Sequence, residues 1–371
     1  MLMVCLLISY ALQHLNSIIN RFVFFLRKCL ITILSRYYLQ ILQTTNEKTR
    51  QMLSLDKVLI IGLGQLGLPV AKFIKEQEGF DVYGYDISSK AMDRAHTTAG
   101  IKKATNFSDF DVYILCISTH RPDDMFSPQI EGLLSIVDKI SKEAKNGALV
   151  SIESTIPKGT SKKVFEMLNH RLHVAHAPHR WYALEEQEHG VNQVRVIGGV
   201  CDCCLKVAMH FYDGRSESEN MNNSSSSSSS NEEIRSKSKN KSLGIPMHAV
   251  SDIEIAELAK IVENADRYLQ IAFAEDLYLY CQANNISFPE LRDAINTKWN
   301  VHILEPREGI GGHCLPKDTK MFLQSSKSIK SKILQAAIEV DQDYRRYREA
   351  RGGCSSAIGE STTPAVSSAI Y

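Results

Sequence analysis

Cys314 stands in EPREGIGGHCLPKDTK (305–320), which packs three glycines, one cysteine and a Lys-Asp pair into what reads as a loop. Glycines beside a cysteine let another molecule approach the sulfur closely. A nearby cation or helix N-terminus favours the thiolate. Asp318 follows four residues later, so one helical turn would bring its carboxylate near the sulfur. Such a cluster suits nucleophilic capture of an electrophilic carbon. A buried structural cysteine in a turn fits the same spacing.

Lys260 and Asn264, in AELAKIVENADR, are four apart and share one helix face. Together they would hold an oxyanion or a water; as an ordinary exposed pair they would do neither. Ser154 and Thr155, in ESTIPKGT (153–160), follow a strand-like run. That is where the carboxyl ends of a parallel sheet meet ligand.

Gly62-Leu-Gly64-Gln-Leu66-Gly67 follows an apolar run and precedes a helical pattern. Gly62 suits a tight turn, Gly64 a close approach to pyrophosphate, and Gly67 close helix–strand packing. Asp86 lies 24 residues after Gly62. A carboxylate there takes ribose hydroxyls and repels a 2′-phosphate, so NAD is expected over NADP. CDCC (201–204) suggests a metal by its three thiols. No second CxxC or histidine pair lies nearby in sequence, so these cysteines read as structural and no metal site is expected.

The elements that must position these groups alternate. KVLIIG (57–62), FDVYGYD (80–86), FDVYILCIS (110–118), GALVSIEST (147–155), HVAHAP (173–178) and VRVIGG (194–199) read as strands, with helical segments such as 130–144 between them. This is the pattern of a doubly wound parallel sheet. Residues 251–285 read as one long helix capped by Ser251 or Asp252, with apolar Ile255, Leu258, Ala259, Val262, Ala265, Leu269, Ala272 and Phe273. SFPELRDAIN (287–296) opens a second helix with Pro near its start. The expected fold is α/β: an N-terminal Rossmann domain (52–212), then a long central helix with a small all-helical domain (247–346). A Ser-rich insertion at 213–246, with seven consecutive serines, is expected to be disordered, as is a tail at 347–371.

The 371 residues are 44% hydrophobic and 23% charged, which excludes a wholly disordered chain and a multi-span membrane protein. A net charge of +1 argues against nucleic acid as partner. Nine scattered cysteines fit a reducing cytoplasm better than a disulfide scaffold. Residues 1–51 are apolar and basic, with six basic side chains against Glu47. They fit either a peripheral membrane contact or an extension with no folded role, because Met52 begins a normal domain start.

The order GLGQLGLP, YDI, CIST, ESTIPKGT, APHRW, AELAKIVEN and GIGGHCLPKD resembles the UDP-glucose/GDP-mannose dehydrogenase family. GGHC looks more like its UDP-N-acetylmannosamine and UDP-N-acetylglucosamine 6-dehydrogenase branch than its UDP-glucose branch, with UDP-N-acetylmannosamine favoured. The resemblance covers about residues 57–346. It implies a four-electron, NAD-dependent oxidation of a nucleotide sugar at C6. Cys314 would carry a thiohemiacetal and then a thioester. Lys260 and Asn264 would stabilise the oxyanion, Asp318 would exchange protons with a water, and Thr155 would join that water network. Leu66, Ser118 and Thr119 would lie against the cofactor. A homodimer through the long helix is implied as well.

Two departures accompany the resemblance. His179 stands in APHRW where the family usually has Glu, and an imidazole could act as a base near neutral pH. The family's third domain, which binds much of the UDP, is expected to be missing, because no strand–helix alternation follows 347. Two other readings stay open: a β-hydroxyacid-type dehydrogenase, which needs no nucleophilic cysteine, and a non-catalytic NAD-binding regulator.

Overall fold

The structure is a computed structural model that describes residues 55–352, apart from 122, 125–126, 181–189, 214–240, 313 and 326–330. The expected N-terminal extension and most of the Ser-rich insertion and of the expected tail therefore lie outside the described residues.

Eight strands form one sheet: β1 (Lys57–Ile61), β2 (Asp81–Tyr85), β3 (Lys102–Lys103), β4 (Val112–Leu115), β5 (Leu149–Ile152), β6 (His173–His176), β7 (Arg195–Gly199) and β8 (Met247–Ala249). Their order is β3-β2-β1-β4-β5-β6-β7-β8. β1 to β6 pair in parallel, β7 turns antiparallel to β6, and β8 runs parallel to β7. The interior strands are continuous apolar runs because both faces are covered.

Five helices cover the sheet: α1 (Gly67–Glu76), α2 (Ser89–Ala99), α3 (Glu131–Glu143), α4 (Thr160–Met167) and α5 (Asp202–Tyr212). Successive strand residues point to opposite faces. Val58, Ile60 and Val112 thus meet Val70 and Ile74 of α1, Ala95 of α2 and Phe211 of α5. Leu59, Ile61 and Tyr113 meet Leu133 and Ile136 of α3 and Val164 of α4. Each such aliphatic side chain contributes about 1.5–3 kcal/mol by leaving water. Chain order reverses between β1 and β4, and that crevice is where a doubly wound sheet takes its ligand.

The second half is helical: α6 (Ile253–Ala283), α7 (Phe288–Asn296), α8 (Cys314–Gln324) and α9 (Lys332–Gly352). Asp252 caps α6, its Oδ1 accepting the Glu254 amide at 3.0 Å. α6 approaches the sheet closely because Gly198 has no side chain; a Cβ there would lie 2.7 Å from Cα of Ile253. Buried Glu257 of α6 accepts the amides of Gly159 and Ser161 at 2.6 and 2.7 Å, capping α4 from another element. Farther along, Tyr268, Ile271 and Ala272 pack with Leu315 of α8 and Ala337 of α9. Ile255, Val262 and Phe273 stay exposed, so the apolar residues of α6 serve two sides.

Three expected boundaries are corrected. The insertion does not extend to 246. Leu243 and Ile245 are buried and bond to the carbonyls of Phe211 and Tyr212, and Met247 opens β8, which places this strand in the sheet rather than in the helical domain. These alternating apolar residues bury surface that a Ser-rich stretch cannot. The tail does not begin at 347, because α9 continues to Gly352, with Tyr347 and Arg351 both bonded to Gln282. The 305–320 stretch is a loop only as far as the glycines; from Cys314 it is α8. Pro316 is tolerated there because first-turn amides have no partner within the helix. No helix among the described residues is long and apolar enough to cross a membrane.

Candidate active site

The glycine turn lies at the carboxyl end of β1. Gly62 has φ +93°, and a Cβ there would lie 2.4 Å from the carbonyl oxygen of Cys116. A Cβ on Gly67 would lie 1.7 Å from the carbonyl oxygen of Gly62. Gly64 differs, since a Cβ on it would meet nothing within 4 Å. No side chain caps α1 at Leu66; the Leu68 amide bonds to the Gly64 carbonyl at 3.3 Å and Pro69 has none, so an anion would be met by the turn amides before them. Asp86 follows β2. Its Oδ2 accepts the Leu63 amide at 2.7 Å and its Oδ1 accepts the Ser88 amide at 2.8 Å. Each oxygen keeps a second lone pair for a ribose hydroxyl. The open face at Gly64, the uncapped helix and the fixed carboxylate together fit a dinucleotide.

Around Cys314 the structure assembles side chains from three regions. Asp318, one turn along α8 and buried, accepts from Asn264 Nδ2 at 2.5 Å and from Lys317 Nζ at 2.6 Å. Lys317, also buried, reaches Thr119 Oγ1 at 3.2 Å. Thr119 in turn donates to the backbone carbonyl of Thr155 at 2.7 Å. The loops after β4 and β5 are thereby tied to α6 and α8. Burial and the Asp318 carboxylate push the Cys314 thiol up, and the ammonium groups of Lys317 and Lys260 oppose them. Lys260 acts electrostatically on His179 as well, so it links the sulfur to a second cluster.

That second cluster is a buried polar network. Glu153 holds His179 Nε2, Tyr212 OH at 2.5 Å and Arg195 Nη1 at 3.2 Å. Tyr212 also meets Ser151 Oγ at 2.7 Å. Burial opposes the charge of Glu153, but His179 and Arg195 hold its carboxyl down at about 2. His179 is lowered as well, by burial first and by Arg195 next. Nε2 of His179 also lies 3.3 Å from Arg195 Nη1. The His179 Nδ1 has no partner among the described residues. The imidazole of His179 is thus buried and engaged by Glu153.

The structure brings together most of the residues that the sequence singled out. Cys314, Lys260, Asn264 and Asp318 converge, and Thr119 and Thr155 adjoin them. Ser118 is exposed and pairs with His120 at 2.7 Å rather than with that hydrogen-bonded chain. Ser154 is committed to the carbonyls of Leu115 and Ile117. Two residues were missed. Lys317 was visible only as half of a Lys-Asp pair, and Glu153 opened a motif whose hydroxyls took the attention. His313 lies outside the described residues.

A parallel sheet with this glycine turn at its switch point and a long helix behind it defines a Rossmann-type dehydrogenase. The chain belongs to the UDP-glucose/GDP-mannose dehydrogenase family, whose NAD binding domain matches residues 92–214 and whose central domain matches residues 254–343. A UDP-N-acetyl-D-mannosamine dehydrogenase of Methanococcus maripaludis is 26% identical over 328 residues, 82% of this chain and 68% of that protein. One from Campylobacter jejuni is 26% identical over 326 residues, 79% and 73% of the two chains. The solved structure of a UDP-D-ManNAc dehydrogenase from Pyrococcus horikoshii superposes with a TM-score of 0.62 at 25% identity, covering 79% of this chain and 70% of that one. The chain thus spans about two thirds of the length of the curated relatives it matches.

Proposed function

We propose that the protein is an NAD-dependent nucleotide-sugar 6-dehydrogenase that oxidises a UDP-N-acetylhexosamine, UDP-N-acetylmannosamine in the first place, to its uronic acid for polysaccharide or glycan synthesis. The names of the relatives support the substrate class. The observation that carries the chemistry is Cys314 in the first turn of α8, under the influence of Lys260 and Lys317, with Asp318 one turn away and bonded to Asn264.

NAD, when bound, accepts a hydride from the sugar C6 in each of two oxidations. The chain's own residues do the rest. Lys260 stabilises the alkoxide of the alcohol and later of the thiohemiacetal. The Cys314 thiolate adds to the aldehyde carbon and, after the second oxidation, is held as a thioester. A sulfur nucleophile suits both steps, because it attacks well and leaves well. Asp318 takes the proton of the water that attacks the thioester, and the acid leaves as the thiol is restored. Asn264 positions that carboxylate, Thr155 anchors the loop beside it, and His179 positions Glu153 in the neighbouring network.

The exposed Ile255, Val262 and Phe273 on α6 support a homodimer formed along that helix. The test of the reaction is NADH formation by the purified chain with UDP-N-acetylmannosamine, UDP-N-acetylglucosamine and UDP-glucose in turn. Two NADH per sugar, abolished in Cys314→Ser, are expected. Retained NAD binding with no turnover of any of the three would overturn the assignment.

A further inference from the structure

CDCC closes the turn between β7 and α5, and the fold supplies what its sequence neighbourhood lacks. β7 pairs antiparallel to β6 with Ala175 opposite Gly199. Continuing that register two residues outward sets His173, the first residue of β6, opposite Cys201. A nitrogen of His173 and the sulfurs of Cys203 and Cys204 all lie within 4.8 Å of one another. Cys201 Sγ is 2.9 Å from Cys203 Sγ and 3.2 Å from Cys204 Sγ. All three are free thiols. Carbon atoms in contact rest about 3.5–4.0 Å apart and sulfur is no smaller, so the three sulfurs meet directly.

We propose that His173, Cys203 and Cys204, completed by Cys201, form a zinc site of the Cys3His type. Zinc takes four such donors in a tetrahedron with Zn–S of about 2.3 Å and Zn–N of about 2.0–2.1 Å. Donor atoms then stand roughly 3.5–3.8 Å apart. The sulfurs are closer than that, and Cys201 and Cys203 are exposed enough to turn outward, Cys201 having further to move because it lies outside the group gathered with His173. The cluster stands at the start of α5, so one short segment supplies all three sulfurs. Cys204 Sγ accepts the Val174 amide at 3.4 Å, an outer contact of the kind that orients a ligating sulfur.

The site is separate from the chemistry proposed above. It lies at the amino end of β6, whereas the glycine turn and the Thr119–Lys317 contact lie at the carboxyl ends of β1 and β4. A metal there fastens the start of β6 to the start of α5, the helix that ends just before the Ser-rich segment. Its role is structural, so it does not depend on the reaction at Cys314.

The experiment titrates the reduced, metal-stripped full-length chain with Co2+ alone and records absorption, then adds Zn2+. One Co2+ per chain is expected, with a thiolate-to-cobalt charge-transfer band and the visible bands of a tetrahedral ion, both erased by Zn2+. Cys203→Ser and Cys201→Ser should weaken or abolish the charge-transfer band, and these exposed positions carry no packing burden. Cys314→Ala should leave it intact. Absence of the band, its loss in Cys314→Ala, or its survival unchanged in both serine variants would overturn the proposal. So would a Cys201–Cys204 disulfide, seen by mass spectrometry, whose reduction releases thiols that bind no Co2+.

Discussion

Asn264 of α6 donates to Asp318 of α8 at 2.5 Å, and the same carboxylate takes the ammonium of Lys317 on its other oxygen at 2.6 Å. Both members of the Lys317–Asp318 pair are buried. Water stabilises neither charge, so each depends on the other and on the contacts with Asn264 and Thr119. The carboxylate that the proposed hydrolysis requires is thus fixed by two helices and by the loop after β4.

Removing either charge separates two effects. Lys317→Met leaves Asp318 as a buried charge without its cation and should cost about 3–5 kcal/mol, read from urea unfolding. Asp318→Asn should lower kcat for the second half of the reaction by about 10²–10⁴, the usual contribution of a positioned acid or base. A sugar thioester would then accumulate on Cys314, visible by mass spectrometry of the intact chain after mixing with substrate and NAD. Unimpaired release of uronic acid by the variant would remove Asp318 from the hydrolysis.

Much of this arrangement was legible in the sequence, for physical reasons. Strands covered on both faces must be apolar runs, so β1 and β4 to β7 were readable; β2, buried at alternate positions, was readable from its short aromatic-rich run. The glycine turn announced itself because three positions tolerate no side chain or need an open approach. Other parts depend on tertiary contacts that leave no local trace. β3 is two exposed lysines, strand-like only because β2 lies beside it. β8 follows the Ser-rich stretch and pairs with β7 from far along the chain. Lys317 looks like any lysine next to an aspartate until the fold sets Thr119 against it. His179 reads as a base in a loop, yet its partners Glu153 and Arg195 come from β5 and β7.

Acid should destabilise the protein in two stages. His176 is buried and lowered to about 3 by that burial, so the unfolded chain takes up a proton near the ordinary histidine value of 6.5 while the folded chain does not. The unfolded state binds more protons in this window, so stability falls with pH below 6.5. From pH 7 to pH 5 the loss from His176 alone is about 2 kcal/mol, and buried His179, lowered in the same direction, adds to it. Glu153 contributes fully above about 4.5, and its share is lost as pH falls toward 2. Urea midpoints across this range check the sign. His176→Leu should flatten the slope between pH 7 and pH 5, and a midpoint that stays level there in the unaltered protein would contradict the account.

The three glycines of the turn should respond differently to alanine, because only two of them are crowded. A methyl on Gly67 would stand 1.7 Å from the carbonyl oxygen of Gly62, inside bonding range, so β1 and α1 must separate. Gly62 adds a positive φ to its clash with Cys116. Gly62→Ala and Gly67→Ala should therefore lower the unfolding midpoint and NAD affinity together. Gly64→Ala meets nothing in the protein, so its stability should stay within about 0.5 kcal/mol of the original. The new methyl would occupy the face left open for the pyrophosphate, and the dissociation constant for NAD should rise by about tenfold or more, equivalent to at least about 1.4 kcal/mol. Calorimetric NAD titration beside thermal melts of the three variants resolves the two patterns. If Gly64→Ala bound NAD as tightly as the original, the dinucleotide would have to pass elsewhere than over Gly64.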